Sequence, residues 1–431
     1  ILPNQFRAGT AEDTVLIDGS VLANAPFAQA IEALKNRPAK REVDRRFVYI
    51  DPRPDLDVAK SDKAMQRLQA AQEEENEALP GFFSTIFGAI SNIPREQPIR
   101  DNLNAIALRS NRITQMRLIT ENLRGEVEEH VEGLFGRTFF LDRPTAARVA
   151  AWRRKSHDRA AKLAGFSYSA YGHLKLATVI EDIAHTVRRA KSDPNAHNHP
   201  GLRSALWTEI RRLGLDNVGQ KSGGPTKLAA EFFRQHDLGF RIRRLRFLAR
   251  QLAEDLDRAD PADAEVMEGI HDIIYDCLSL YIERETIEYL GDDFIALAEQ
   301  AEVQPGAMLD ALAKARDLTT ADAIVDARLA AALAVIPKAE KRSMLLAFLG
   351  FPFYDIATLP LLQGEGLDEF DPIKVDRISP EDARTIRKGG VAATLKGIEF
   401  NNFGAFFSRS YRENDYLWGR LHGADRMIDI M

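Results

Sequence analysis

The stretch "VLIDGSVLANAPFAQAI", residues 15–31, decides how this chain begins. Thr14, Val15, Leu16 and Ile17 suit a strand, and Asp18-Gly19 ends it. Pro26 belongs in a first helical turn, with Asn24 or Ala25 as its cap. Phe27, Ala30, Ile31 and Leu34 then follow the spacing of one apolar helix face, and Asn36-Arg37-Pro38 stops it. Phe47-Val48-Tyr49-Ile50 is a second short apolar run, closed by Asp51-Pro52. Strand, helix and strand predict a right-handed crossover into a parallel sheet.

Outward from there, strands become scarce. Helical periodicity covers residues 58–77, 101–135, 144–163, 168–191, 227–259, 261–290, 292–301, 305–318 and 320–335. Residues 351–380 turn irregular and proline-rich, with a strand-like run at 373–375. The expected plan is an α/β remnant of a larger three-layer domain at 1–57, a helical region at 58–345, and an irregular and helical segment at 346–431 that docks back on the core. The fold class is mainly α overall.

A 45% hydrophobic and 28% charged composition can build a soluble core. A net charge of -6 argues against bulk attraction to nucleic acid, so no nucleic-acid partner is expected. The single cysteine, Cys277, excludes an internal disulfide and a cysteine-only zinc cluster, and it fits a reducing, cytoplasmic compartment. The longest apolar run, residues 344–354, falls short of the ~18 residues that span a bilayer. The chain opens on Ile1 with no signal-peptide pattern, and it reads as the later part of a longer polypeptide.

Asp18 is the candidate catalytic residue. Open α/β sheets bind ligands beyond the carboxyl ends of their strands, where Asp18 would stand. Gly19 permits the sharp turn that would leave the carboxylate facing a cleft. Asp-Gly is also a common turn dipeptide, which is the plain alternative. To act as a base near neutral pH, an aspartate of ordinary pKa about 3.9 would have to be raised by burial.

"IDGSVLANAPFAQAI" resembles the Asp-Gly-Gly/Ala motif of patatin-like phospholipases with its Asn-x-Pro continuation. "PAKREVDRRFVYIDPRPD" (residues 38–55), "GFRIRRLRFLARQL" (239–252), "LGFPFYDIATLPL" (349–361) and "NDYLWGRLHGADRMID" (414–429) resemble a bacterial patatin-related subgroup with a long helical C-terminal extension. The resemblance implies a lipid acyl hydrolase with a serine-aspartate dyad. A serine in a Gly-x-Ser-x-Gly elbow attacks an ester carbonyl, the aspartate serves as base, and a glycine-rich loop receives the oxyanion. Asp18 and Gly19 carry over; Ser20 departs from the commoner Gly or Ala and adds a hydroxyl beside the base. No Gly-x-Ser-x-Gly occurs in the chain: "GFSYSAYG" (165–172) and "GQKSGG" (219–224) both miss it. The nucleophile is therefore expected upstream, and the chain alone is expected to be inactive. A lipid or other acyl ester is the implied substrate, a membrane surface a peripheral contact, and neither cofactor nor metal is implied.

Other constellations carry two readings each. Arg241, Arg243, Arg244, Arg246 and Arg250 lie among apolar residues, as in a helix on an anionic membrane or a packed helix whose arginines pair with Glu254, Asp255 and Asp257. "PGFFSTIFGAISNIP" (80–94) suits a lid over an acyl chain or a core helix. Asp182 and His185, with Glu268 and His271, mimic half of a di-metal bundle, while His197 and His199 are expected in a solvent-facing loop. Phe403, Phe406, Phe407, Tyr411, Tyr416, Leu417 and Trp418 present aromatic surface that is expected to be covered.

Overall fold

Helices form where apolar residues recur at three- and four-residue spacing. The structure, a computed structural model, describes residues 45–50, 82–191, 200–258, 260–362, 373–399 and 404–431. The strand expected at 14–17 and the helix expected at 58–77 lie outside these. In chain order the described elements are β1 (Arg45–Ile50), α1 (Phe82–Phe135), α2 (Ala146–Leu163), α3 (Ser167–Ala190), α4 (Pro200–Arg212), α5 (Lys227–His236), α6 (Leu238–Leu256) and α7 (Pro261–Ile282). Then come α8 (Ile287–Ala298), α9 (Pro305–Arg316), α10 (Leu318–Val335), α11 (Lys338–Leu362), β2 (Ile373–Ile378), α12 (Gly390–Thr394), α13 (Gly404–Phe407) and α14 (Arg409–Ile430). The chain is mainly α.

The described residues fall into two compact units: 45–50, 82–111 and those from 373 onward in one, those between 112 and 362 in the other. In the first, β1 and β2 pair in parallel, with Phe47 opposite Val375 and Tyr49 opposite Arg377. Arg46 Nη1 donates to the Ile430 carbonyl at 2.7 Å, and Arg426 Nε donates to the Arg377 carbonyl at 3.1 Å, so α14 is tied to both strands. Asp415 accepts from the backbone N–H groups of Lys396 and Gly397, both at 2.7 Å. The expected covering of the aromatic block is incomplete: Tyr411 and Trp418 are half-buried, but Phe406, Phe407, Tyr416 and Leu417 remain exposed.

The second unit is a helical assembly with two large cores. One joins Val131, Trp152, Leu245, Ile274, Val325 and Leu345; the other joins Ile180, Leu206, Phe233, Phe294 and Leu312. The helix expected at 227–259 breaks in two at Asp237, whose side chain turns back to accept from the Phe240 N–H at 3.0 Å and so starts α6. The helix expected at 261–290 gives way to a 3-10 turn at Glu283–Glu285. The short element expected at 80–94 is continuous with α1, which runs on through Pro94 and Pro98.

The break expected at 345/346 falls inside α11. This helix also corrects the expectation about membrane spans: residues Lys338–Leu361 are long and apolar enough to cross a bilayer, although 67% of the apolar window is buried within the protein. A count of consecutive apolar residues stops at Asp355. In the fold, that carboxylate is 1% exposed and accepts from Arg243 Nε and Nη2 at 3.0 and 2.8 Å and from the Tyr171 hydroxyl at 2.6 Å. Next to the turn that Pro352 interrupts, the Ser156 hydroxyl donates to the Leu349 carbonyl.

Candidate functional site

Asp18, Gly19 and Ser20 lie outside the described residues, as do His197 and His199. Within the helical unit, a different constellation stands out. Asp237, Phe240, Arg241 and Arg244 follow i, i+3, i+4, i+7 spacing along α6 and share one face. On α10, Thr319, Asp322, Ala323 and Asp326 repeat that spacing, and on α2 Arg153 and His157 are four apart. These faces, with Lys175 of α3 and Phe233 of α5, enclose a cavity of about 580 Å³.

Its walls are stapled by ion pairs between helices. Arg241 Nε and Nη2 donate to the two oxygens of Asp322 at 2.8 and 2.9 Å, and the Tyr281 hydroxyl donates to the same carboxylate at 2.6 Å. The remaining Arg241 donors take the Asp237 and Arg234 carbonyls, both at 2.7 Å, which satisfies the end of α5. Arg153 grips Asp326 through Nε at 3.2 Å and Nη2 at 2.7 Å, and its Nη1 lies 3.6 Å from Asp322. Lys175 Nζ is 2.7 Å from Asp237 and sits 4.2 Å from the centre of the Phe240 ring.

Burial pushes the Asp322 carboxyl up, but Arg241, Arg153 and Arg244 outweigh it and hold the group at about 2. Burial likewise opposes Asp237, and Lys175 and Arg243 hold it below its ordinary value. Burial, then Lys175 and Arg244, push the His157 imidazole down to about 3, so it is neutral at neutral pH. Six cations and four carboxylates line the cavity; with the exposed Arg154, Arg234 and Asp158 set aside, Arg153, Lys175, Arg241 and Arg244 face the three carboxylates Asp237, Asp322 and Asp326.

This arrangement holds charge; it does not resemble a hydrolytic centre. Each of the three carboxylates is committed to a cation. The buried Cys277 thiol is pushed up to about 11 by burial and is not a thiolate. Among the described residues, no group of three or more His, Cys, Asp or Glu side chains could hold a metal, so the helical half-motifs at Asp182 and Glu268 gather no ligand set. Residues 165–172 enter α3, and Ser222 sits in an exposed loop closed by a bridge between Gly219 and Pro225. Neither offers a nucleophile elbow.

The basic stretch at 239–252 is an internal helix, with Arg241 and Arg244 buried, not a membrane-facing one. Arg250 finds a local partner, Glu254, at 3.1 Å. Arg241 and Arg243 pair with Asp322 and Asp355, 81 and 112 residues away. The signal that could have found the cavity is the matched spacing on α6 and α10, cationic on one and acidic on the other.

Among known proteins, no solved structure matches this chain. A 37-residue stretch is 46% identical to the uncharacterized membrane protein Rv3479 of Mycobacterium tuberculosis; it covers 9% of this chain and spans 3% of that protein's length. Residues 244–431, from Arg244 on α6 to the last residue, match the model of a family described as "Protein of unknown function (DUF3376)".

Proposed function

We propose that the chain is part of a patatin-like lipid acyl hydrolase in which Asp18 is the base of a serine-aspartate dyad. The observation that carries this reading is the 15–31 stretch, a strand-like run ending in Asp-Gly and followed by Asn-x-Pro. Parallel pairing of β1 with β2 is compatible with it, because crossover α/β sheets are built from parallel strands. Asp18 accepts the proton of a serine contributed by residues outside this sequence while that oxygen bonds to the ester carbonyl carbon. The proton then passes to the departing alcohol, and water releases the acid from the serine. The substrate is a carboxylic ester of a lipid, met in the cytoplasm or at the periphery of a membrane. In the full-length protein, Asp18→Asn should abolish hydrolysis of a p-nitrophenyl acyl ester and leave thermal unfolding unchanged. Turnover retained in the folded variant removes Asp18 from the mechanism.

A second reading, a non-catalytic module that docks on membranes, is favoured by Phe406 and Phe407, which are 74% and 82% exposed. Sedimentation with anionic vesicles that Phe406→Ser/Phe407→Ser reduces would support it; sedimentation unchanged by the double substitution would not.

A further inference from the structure

Arg244 is 3% exposed, yet it makes no hydrogen bond to any described residue, and its Nε is buried without a partner. Its guanidinium carbon lies 4.6 Å from the centre of the Phe348 ring and 5.6 Å from that of Phe240. Such contacts contribute about 0.5–2 kcal/mol. Burying an ion costs several kcal/mol, so the two rings do not offset it. Burial and the nearby Arg153 push this group down to about 10, which still leaves it charged at neutral pH. Arg153, Lys175 and Arg241 spend their donors on Asp237, Asp322, Asp326 and on backbone carbonyls at the end of α5. Arg244 lines the cavity with no carboxylate hydrogen-bonded to it, although Asp322 and Asp326 attract it without contact.

That space is larger than an inorganic ion requires. About 580 Å³ lies within the roughly 300–1,000 Å³ typical of small-molecule sites. Beside its charged groups, the cavity is lined by Ala147, Ala150, Ala230, Phe233 and Ala323, small or aromatic groups that offer an apolar body shape and contact.

We propose that this cavity binds an oxyanion carried on an apolar body, with Arg244 as its counter-ion. A planar guanidinium presents paired N–H donors that match two oxygens of a carboxylate or a phosphate. The shared chemistry is therefore that of a free fatty acid and of an alkyl phosphate. The inference does not rest on the hydrolase reading: Asp18→Asn reports on turnover, Arg244→Met on binding, and either can fail alone.

The test is calorimetric titration of the full chain with decanoate, decyl phosphate, inorganic phosphate and decanol. At least one of the two amphiphilic anions should bind one-to-one, at least about tenfold more tightly than inorganic phosphate or decanol. The tighter of the two identifies the head group. Arg244→Met should weaken that binding by about tenfold or more while the ligand-free protein keeps a cooperative thermal transition. Ala150→Phe, which fills the cavity and keeps the arginine, should block binding as well. Saturable binding of neither anion, binding indifferent to both substitutions, or inorganic phosphate or decanol binding as tightly as the amphiphiles would overturn the proposal.

Discussion

Arg241 and Asp322 meet through two parallel hydrogen bonds, at 2.8 and 2.9 Å, across 81 residues of sequence. The pair joins α6 to α10 at the wall of the cavity, and both side chains are at most 10% exposed. Removing one partner of such a pair leaves an uncompensated buried charge, at a cost of about 3–5 kcal/mol. Asp322→Ala should lose stability on that scale in urea unfolding, with Tyr281 also losing its acceptor. A loss below about 1 kcal/mol, the value of an exposed pair, would contradict the burial described.

Acid should weaken the fold in a defined order. Burial, then Arg316, push the His236 imidazole down to about 3, and His157 is pushed down to about 3 as well. Above the ordinary histidine value of 6.5, both rings are neutral in the folded and unfolded chain, and this contribution is fully present. As pH falls from 6.5 toward 3, the unfolded chain takes up protons that the fold excludes, and stability is lost. Asp322, held at about 2 against an ordinary 3.8, adds a further loss between those values. Urea midpoints measured against pH should slope less steeply between 6.5 and 3 in His236→Gln than in the wild type. Coincident slopes would remove His236 from the account.

Gly172, on α3, should resist a substitution that usually helps. Alanine in place of a helical glycine gains roughly 0.5–1 kcal/mol. Here the added methyl would stand 2.6 Å from Val218 Cγ1, and Val218 is fully buried. Overpacking costs about 1–3 kcal/mol, so Gly172→Ala should be net destabilising. The double variant with Val218→Ala should lose less than the sum of the two single losses; strict additivity would deny the contact.

Asp317 closes α9 and opens α10 as one residue. It holds a left-handed backbone, φ 36°, and its side chain accepts from the Thr320 N–H at 3.3 Å. Asp317→Ala loses the cap and keeps the strained backbone, and it should cost about 1–2 kcal/mol. Asp317→Gly loses the cap but relieves the backbone, so it should cost less. The reverse order in thermal unfolding would show that the backbone conformation is not the expensive feature.

Most helices were legible because their apolar spacing is local information. Residues 305–318 and 320–335, read as two helices, correspond to Pro305–Arg316 and Leu318–Val335. Asp237 was not legible as a break: it looks like one polar residue in a long periodic run, and its meaning depends on Lys175, which lies on another helix. One of the two readings of the α6 arginines pairs them with the acidic neighbours Glu254, Asp255 and Asp257. That holds for Arg250, whereas Arg241 and Arg243 use partners that only the tertiary fold brings near. The strand-like run at 373–375 was visible from β-branching, but its parallel partner, β1, lies more than 300 residues earlier and no local pattern names it.

The central structural claim is that Arg241 is held by a matched buried ion pair, whereas Arg244, among the described residues, has no hydrogen-bonded carboxylate. Unfolding free energies of Arg241→Met and Arg244→Met, measured without added ligand, test it most directly. Arg241→Met, which breaks a hydrogen-bonded buried pair, should lose about 3–5 kcal/mol, and Arg244→Met should lose distinctly less. Equal losses in the two variants would contradict the claim.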